Sequence, residues 1–235
     1  MSAYARWAGG GRHELGQNFL ADHRTAARIA RLVPPGPVVE LGPGDGAVTR
    51  HLIRRAGPLT AVELDPRRAA ALERRFGDRV TVVHGDMLRF AEPGPHHIVS
   101  NVPFGITTPL LRHLLGQAGW GTAVLLLQWE VARKRAAVGG TTQLTASWWP
   151  WFEFALAGRV PAGAFRPRPS VDGGLLVMSR RDRPLLDRRR RRAYQRFVAE
   201  AFRVGRVGGR RPRDLDAHGW VTSFGGGLAG RHPVT

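Results

Sequence analysis

Short apolar runs recur between residues 38 and 127, separated by stretches whose apolar positions repeat at helical spacing. Val38-Val39-Glu40-Leu41 reads as a buried strand, and Gly42-Pro43-Gly44-Asp45-Gly46 as a tight turn opening a helix that carries Val48, Leu52 and Ile53. Further strands are predicted over residues 59–64, 80–83, 97–100 and 121–127, and helices over 23–32, 67–76 and 108–115. Strands alternating with helices at this spacing predict an open, mostly parallel α/β sheet.

After Ala137 the pattern changes. Residues 152–160 alternate as a half-exposed strand does, and 174–179 form another apolar strand. With no helix between them, the two are expected to pair antiparallel at the sheet edge. Asp187 is positioned to cap a helix with Tyr194, Phe197, Val198, Ala201 and Phe202 on one face. Beyond Val204 the chain is rich in Gly and Arg, and residues 225–235 read as a poorly ordered tail. Gly139-Gly140-Thr141-Thr142 reads as a flexible loop, and Trp148-Trp149-Pro150-Trp151 as packing at the sheet edge. The expected division is a sheet domain over 1–180 and a small basic helical domain over 181–235.

The charge balance changes the picture. The 235 residues hold 36 Lys plus Arg against 18 Asp plus Glu, a net charge of +18. Residues 180–213 alone carry 14 arginines against Asp182, Asp187 and Glu200, which is +11 of that total. Guanidinium forks suit phosphate oxygens, so this block is a candidate RNA-binding surface acting through the backbone. Arg133, Lys134 and Arg135 are candidates to extend it. No cysteine is present, which excludes disulfides, thiolate metal sites and a thiolate nucleophile. The nine histidines show no ligand spacing, so no metal site is expected. Residues 1–11 lack an apolar signal core, and no apolar run reaches the roughly 18 residues of a membrane span. A cytoplasmic protein is expected, without a membrane partner.

Candidate chemistry gathers at the predicted strand ends. A glycine-rich turn after the first strand lets backbone amides approach a ligand, although the spacing is not Gly-x-Gly-x-x-Gly. Glu63-Leu64-Asp65 ends the next strand about 20 residues later, where a ribose diol would be held. Gly85-Asp86-Met87 ends the third, with a carboxylate able to accept an adenine amino group. Without a Gly-Lys-Ser/Thr phosphate grip, these features point to S-adenosylmethionine rather than a nucleoside triphosphate. Asn101-Val102-Pro103-Phe104 then supplies an amide, a rigid proline and a ring, suited to holding a flat purine by its exocyclic amine.

Six segments together resemble the ribosomal RNA adenine N6-methyltransferases, and within them the macrolide-resistance (Erm) branch acting on 23S rRNA. They are Gly16-Gln17-Asn18-Phe19-Leu20, 40–46, 63–65, 85–86, 101–104 and Phe165-Arg166-Pro167-Arg168-Pro169-Ser170-Val171. The resemblance implies a Rossmann-like S-adenosylmethionine-dependent methyltransferase sheet with a small C-terminal helical domain. It implies that Asn18 and Leu20 cover the methionine end of the cofactor, while Gly42 and Gly44 hold its backbone. Glu63 would take the ribose and Asp86 the adenine ring, and Leu64 and Met87 would also contact the cofactor. Asn101 would lie between cofactor and target base, with Phe104 stacking on that base and Phe165 walling the pocket from the other side. The Val102 or Pro103 carbonyl would share the amine with Asn101. The implied partner is rRNA, 23S by preference, met before or during ribosome assembly by a monomeric enzyme that confers antibiotic resistance. Three alternatives remain: a 16S rRNA adenine dimethyltransferase, a non-catalytic RNA-binding relative, and a DNA adenine methyltransferase. The last typically carries Pro where Val102 stands.

Overall fold

Buried β-branched and leucine-rich runs separated by amphipathic helices assemble one seven-stranded sheet, in a computed structural model that describes residues 18–229. A two-residue strand β1 (Phe19–Leu20) precedes α1 (His23–Leu32), which Asp22 caps by accepting the Thr25 N–H. Then follow β2 (Val38–Leu41), α2 (Thr49–Leu52), β3 (Leu59–Glu63), α3 (Pro66–Phe76), β4 (Thr81–His84), β5 (His96–Asn101), α4 (Thr107–Gly116) and β6 (Trp120–Gln128). The helix expected after the glycine turn is only the four-residue α2; positive φ angles at Gly44 and Gly46 delay its start.

The chain continues through α5 (Trp129–Arg135), α6 (Gln143–Trp148), β7 (Phe152–Val160), β8 (Phe165–Arg166), β9 (Gly173–Arg180), α7 (Arg191–Val204) and α8 (Ala217–Ala229). The sheet order is β4-β3-β2-β5-β6-β9-β7. The first five strands are parallel, and β9 and β7 complete the edge antiparallel, as their sequence predicts. β1 pairs with β8 in a separate ribbon.

Period-two alternation sends neighbouring side chains to opposite faces. Val38, Val99, Val124 and Leu126 face α1 and α3, while Val39, Ile98, Leu125 and Leu127 face α4 and the C-terminal helices. That second apolar cluster runs without a break from the sheet into Tyr194, Val198, Trp220 and Phe224. The Tyr194 hydroxyl donates to the Ala146 carbonyl at 2.9 Å, and burial raises its pKa.

Two expectations fail here. Residues 225–229, assigned to a poorly ordered tail, belong to α8; residues 230–235 lie outside the described residues. Trp220 and Phe224, one turn apart, are fully buried, and Asp216 accepts the Gly219 N–H at 2.7 Å at the helix start. The apolar anchors outweigh the low helix propensity of Gly225 to Gly227. The loop at 139–142 is also stitched down. The Thr141 N–H donates to the Arg213 carbonyl at 2.9 Å, and Thr142 caps α6.

Candidate functional site

Parallel strands place their C-terminal ends on one edge, and the crevice beyond those ends is where open α/β sheets bind ligands. Here one cavity lies against the ends of β2, β3, β4 and β5. Every residue expected to hold a cofactor lines it: Asn18, Leu20, Gly42, Gly44, Glu63, Leu64, Asp86, Met87 and Asn101. Gly16 and Gln17, which open the first motif, lie outside the described residues.

The glycine turn is demanded by close approach. Gly44 sits at φ 57°, and a Cβ there would come within 2.9 Å of the Phe19 ring. Gly46, at φ 75°, would drive a Cβ to 2.7 Å from Phe76 in the core. The turn folds back on Glu63: the Gly44 N–H donates to Glu63 Oε2 at 3.1 Å, and the Asp65 N–H to Oε1 at 3.0 Å. Each Glu63 oxygen keeps a lone pair for a further donor. Asp86 Oδ1 accepts the Leu88 N–H at 2.8 Å, while Arg89 stands 3.9 Å from Oδ2. Leu64 exposes 38% of its surface at this cavity, an apolar face that a flat ring would cover.

Glu40 is the most perturbed acid. Only 3% exposed, it accepts the Thr49 hydroxyl at 2.6 Å. Burial pushes its carboxyl up from 4.5 to about 7; the Thr49 bonds oppose this and the nearby Glu63 charge adds to it.

Asn101 ends β5, whose position beside the glycine turn is held by Ser100 Oγ donating to the Leu41 carbonyl at 2.7 Å. The Asn101 amide Nδ2 donates to the Asn18 carbonyl at 2.9 Å, which fixes the amide and leaves Oδ1 as its acceptor. Val102, Pro103 and Phe104 line the same cavity. The Pro103 carbonyl accepts the Ile106 N–H at 3.1 Å, and Phe104 is half-buried at the start of a short 3₁₀ turn.

Phe165 is the exception. It was expected as the far wall, yet it is fully buried and is not part of the cavity lining. Its strand pairs with β1, Leu20 against Phe165, so its ring packs in the core beneath the segment that carries Asn18. Packing into the core cluster with Leu20, Val160 and Leu175 keeps that side chain out of the cavity lining.

Phe19, Glu40 and Arg68 also line the cavity; the first two lie within the motifs without a role of their own, and Arg68 lies in none. The Arg68 guanidinium lies 4.0 Å from the Phe19 ring centre, with Nη1 4.0 Å from Asp45 Oδ1. Nothing in local pattern marks Arg68 among the other arginines of α3. Glu40 was visible as the first acid of the turn motif.

Elsewhere, Arg135 turns inward to donate to the Thr142 hydroxyl at 3.0 Å, and Arg133 pairs with Glu130 at 3.1 Å. Trp151 packs at the sheet edge, its Nε1 donating to the Leu186 carbonyl at 2.8 Å. Among the described residues, no group of three or more His, Asp or Glu could hold a metal.

Comparison with known proteins shows the family of the chain. The family model described as ribosomal RNA adenine dimethylase matches residues 10–206. Mycinamicin-resistance protein MyrB of Micromonospora griseorubida is 62% identical over 82% of this chain. That match spans 63% of MyrB's own length, less than two thirds of it. An rRNA adenine N-6-methyltransferase of Corynebacterium diphtheriae is 48% identical over 86% of this chain and 80% of its own. Among solved structures, the 23S rRNA methyltransferase ErmE superposes with a TM-score of 0.79 at 31% identity, covering 88% of this chain and 98% of that one. The glycine turn, the strand-end carboxylates and the Asn101 tetrapeptide thus stand in a chain that belongs to the ribosomal RNA adenine dimethylase family.

Proposed function

We propose that the protein methylates N6 of an adenine in 23S rRNA, using S-adenosylmethionine, and thereby confers resistance to macrolide-type antibiotics. The observation that carries this reading is the tethered Asn101 amide, which offers Oδ1 inside a cavity built with Glu63, Asp86 and the glycine turn. The donor set fits the cofactor. Glu63 retains acceptor capacity for two ribose hydroxyls, Asp86 for an amino group, and Leu64 and Met87 offer apolar surface to a ring. Asn18, Leu20, Gly42 and Gly44 remain for the methionine end. Bound S-adenosylmethionine supplies an electrophilic methyl group.

The protein supplies alignment. Adenine N6 is a poor nucleophile because its lone pair is delocalised into the ring. Asn101 Oδ1 accepts one amine proton. The Pro103 carbonyl is engaged by Ile106, so the Val102 carbonyl takes the other. Both bonds favour a tetrahedral nitrogen and aim its lone pair, and its proton leaves to water after transfer. The base must be unstacked to enter, and stacking on Phe104 offsets part of that cost.

Residues 181–235 carry the basic RNA-binding surface in this reading. The cavity is built by one chain, so a monomer suffices, and the work on rRNA is cytoplasmic. No helix among the described residues is long and apolar enough to cross a membrane. The test is incorporation of labelled methyl into deproteinised 23S rRNA, 16S rRNA and duplex DNA in parallel, with the product mapped by primer extension. Label confined to 23S rRNA supports the reading; label in 16S rRNA or DNA instead sinks it.

A further inference from the structure

The 14 arginines of residues 180–213 are not equivalent in the fold. Arg181, Arg203 and Arg211 are ion-paired to Glu153, Glu200 and Asp214 at 2.6, 2.5 and 2.9 Å. Arg190 lies over the Phe224 ring. Arg180, Arg188 and Arg191 instead converge on one cavity, with Trp148 and Phe152 in its wall and no carboxylate in its lining.

Arg180 is pre-positioned there. Its Nε and Nη2 donate to the Trp120 and Gln117 carbonyls, each at 3.1 Å. Its guanidinium carbon lies 5.2 Å from the Trp120 ring centre and 4.8 Å from that of Phe152. The Arg191 guanidinium lies 5.3 Å from the Trp148 ring, and Trp148 is itself packed edge-on against Phe152. Burial lowers the Arg180 pKa and the Arg188 charge lowers it further, as expected of like charges held together without a counter-ion. Of the nearby acids, Glu153 pairs with Arg181 and Asp187 accepts the Arg189 N–H at 2.7 Å, while Asp182, two residues from Arg180, is exposed and outside the cavity lining. The 14-residue helix α7 begins at Arg191 with no acid in its first turn, so its positive end adds to the same field.

We propose that this cavity is a second RNA contact, a clamp in which Arg180, Arg188 and Arg191 grip a backbone phosphate remote from the methylated base. The proposal rests on the reading of the protein as an rRNA methyltransferase and locates part of its substrate grip. Planar guanidinium groups backed by aromatic rings match phosphate oxygens. Neighbouring Arg189 and Arg192 are exposed, as a path for a polyanionic strand requires. The clamp stands at the end of β6 opposite the catalytic cavity. Trp120 opens that strand, while Asn101 is level with Leu126. Six residues of strand separate them by roughly 20 Å. A short loop inserting its adenine at Asn101 cannot reach the clamp; a longer folded RNA can.

The test compares two labelled RNAs by fluorescence anisotropy: a short hairpin bearing the target loop, and a longer 23S rRNA fragment holding that loop among its neighbouring helices. The variant is R188Q/R191Q. Both side chains are exposed, and circular dichroism should show the fold intact. R54Q/R55Q, also exposed and on the other half of the sheet, removes the same charge elsewhere. R188Q/R191Q should bind the long RNA about tenfold more weakly, with its salt slope reduced by about 0.7–0.9 as expected for one phosphate, and bind the hairpin unchanged. R54Q/R55Q should stay within about twofold of wild type on both. Equal weakening by the two variants, equal losses on both RNAs, or no loss at all would each overturn the clamp. Binding is read without methyl transfer, so a wild-type protein that methylates neither RNA would refute the methyltransferase reading and leave the clamp to be decided by anisotropy.

Discussion

Glu40→Gln isolates a single buried charge at the base of the cavity. Glu40 is 3% exposed, and burial lifts its carboxyl from 4.5 to about 7. A group that holds its proton more tightly folded than unfolded contributes stability below its unfolded pKa. That contribution is lost as pH rises through the folded value. For Glu40 the window therefore runs from about pH 4.5 to about pH 7. The shift corresponds to on the order of 3 kcal/mol. Glutamine keeps an oxygen for the Thr49 hydroxyl and carries no charge, so the variant should not pass through this window. Thermal unfolding of both proteins across about pH 4.5 to pH 8 reads the difference. Between those limits the variant's Tm should rise relative to wild type by roughly 6–12 °C, given the scaling for a chain of this size. Other titrating groups are common to both proteins and cancel. A Tm difference that stays constant with pH would mean Glu40 is ionised in the folded protein throughout, and the argument from burial would fail.

Asn101→Ala should lower kcat for methyl transfer by about 100-fold or more, with the cofactor Kd changed by less than about threefold in calorimetry. Collapse of cofactor affinity instead would move Asn101 from aligning the amine to holding the cofactor. Trp220→Ala should cost about 3–5 kcal/mol in denaturant unfolding, because the side chain is fully buried against Phe197 and Phe202. A loss under 1 kcal/mol would show α8 to be peripheral. Gly46→Ala combines a left-handed backbone with a Cβ 2.7 Å from Phe76, so it should destabilise by about 2–4 kcal/mol. A variant as stable as wild type would show that the turn relaxes freely.

The sheet was legible because its evidence is local. Each parallel strand is a short apolar run bounded by turn residues, and the structure moves those boundaries by at most one position. The cavity was legible for a related reason: a parallel sheet brings all its C-terminal strand ends to one edge, so acids and glycines at those ends must converge. Phe165 and Arg68 were not. Phe165 sits in a motif that points to chemistry, but pairing of β8 with β1 buries its ring. Arg68 stands among the other arginines of α3 until the fold lays Phe19 beneath it. α8 was hidden by its glycines, since local propensity is weak where burial of Trp220 and Phe224 decides.

Residue identity and spacing alone determined the α/β class, the crevice, the Asn101 tetrapeptide and the excess of positive charge. Each depends on near neighbours in the chain or on a rule that all parallel sheets obey. Tertiary structure decided which arginines are neutralised and which converge unpaired, which way Phe165 faces, and that the Asn18 carbonyl holds the Asn101 amide across 83 residues of chain. Those outcomes depend on contacts between distant segments, and no local pattern of residues carries them.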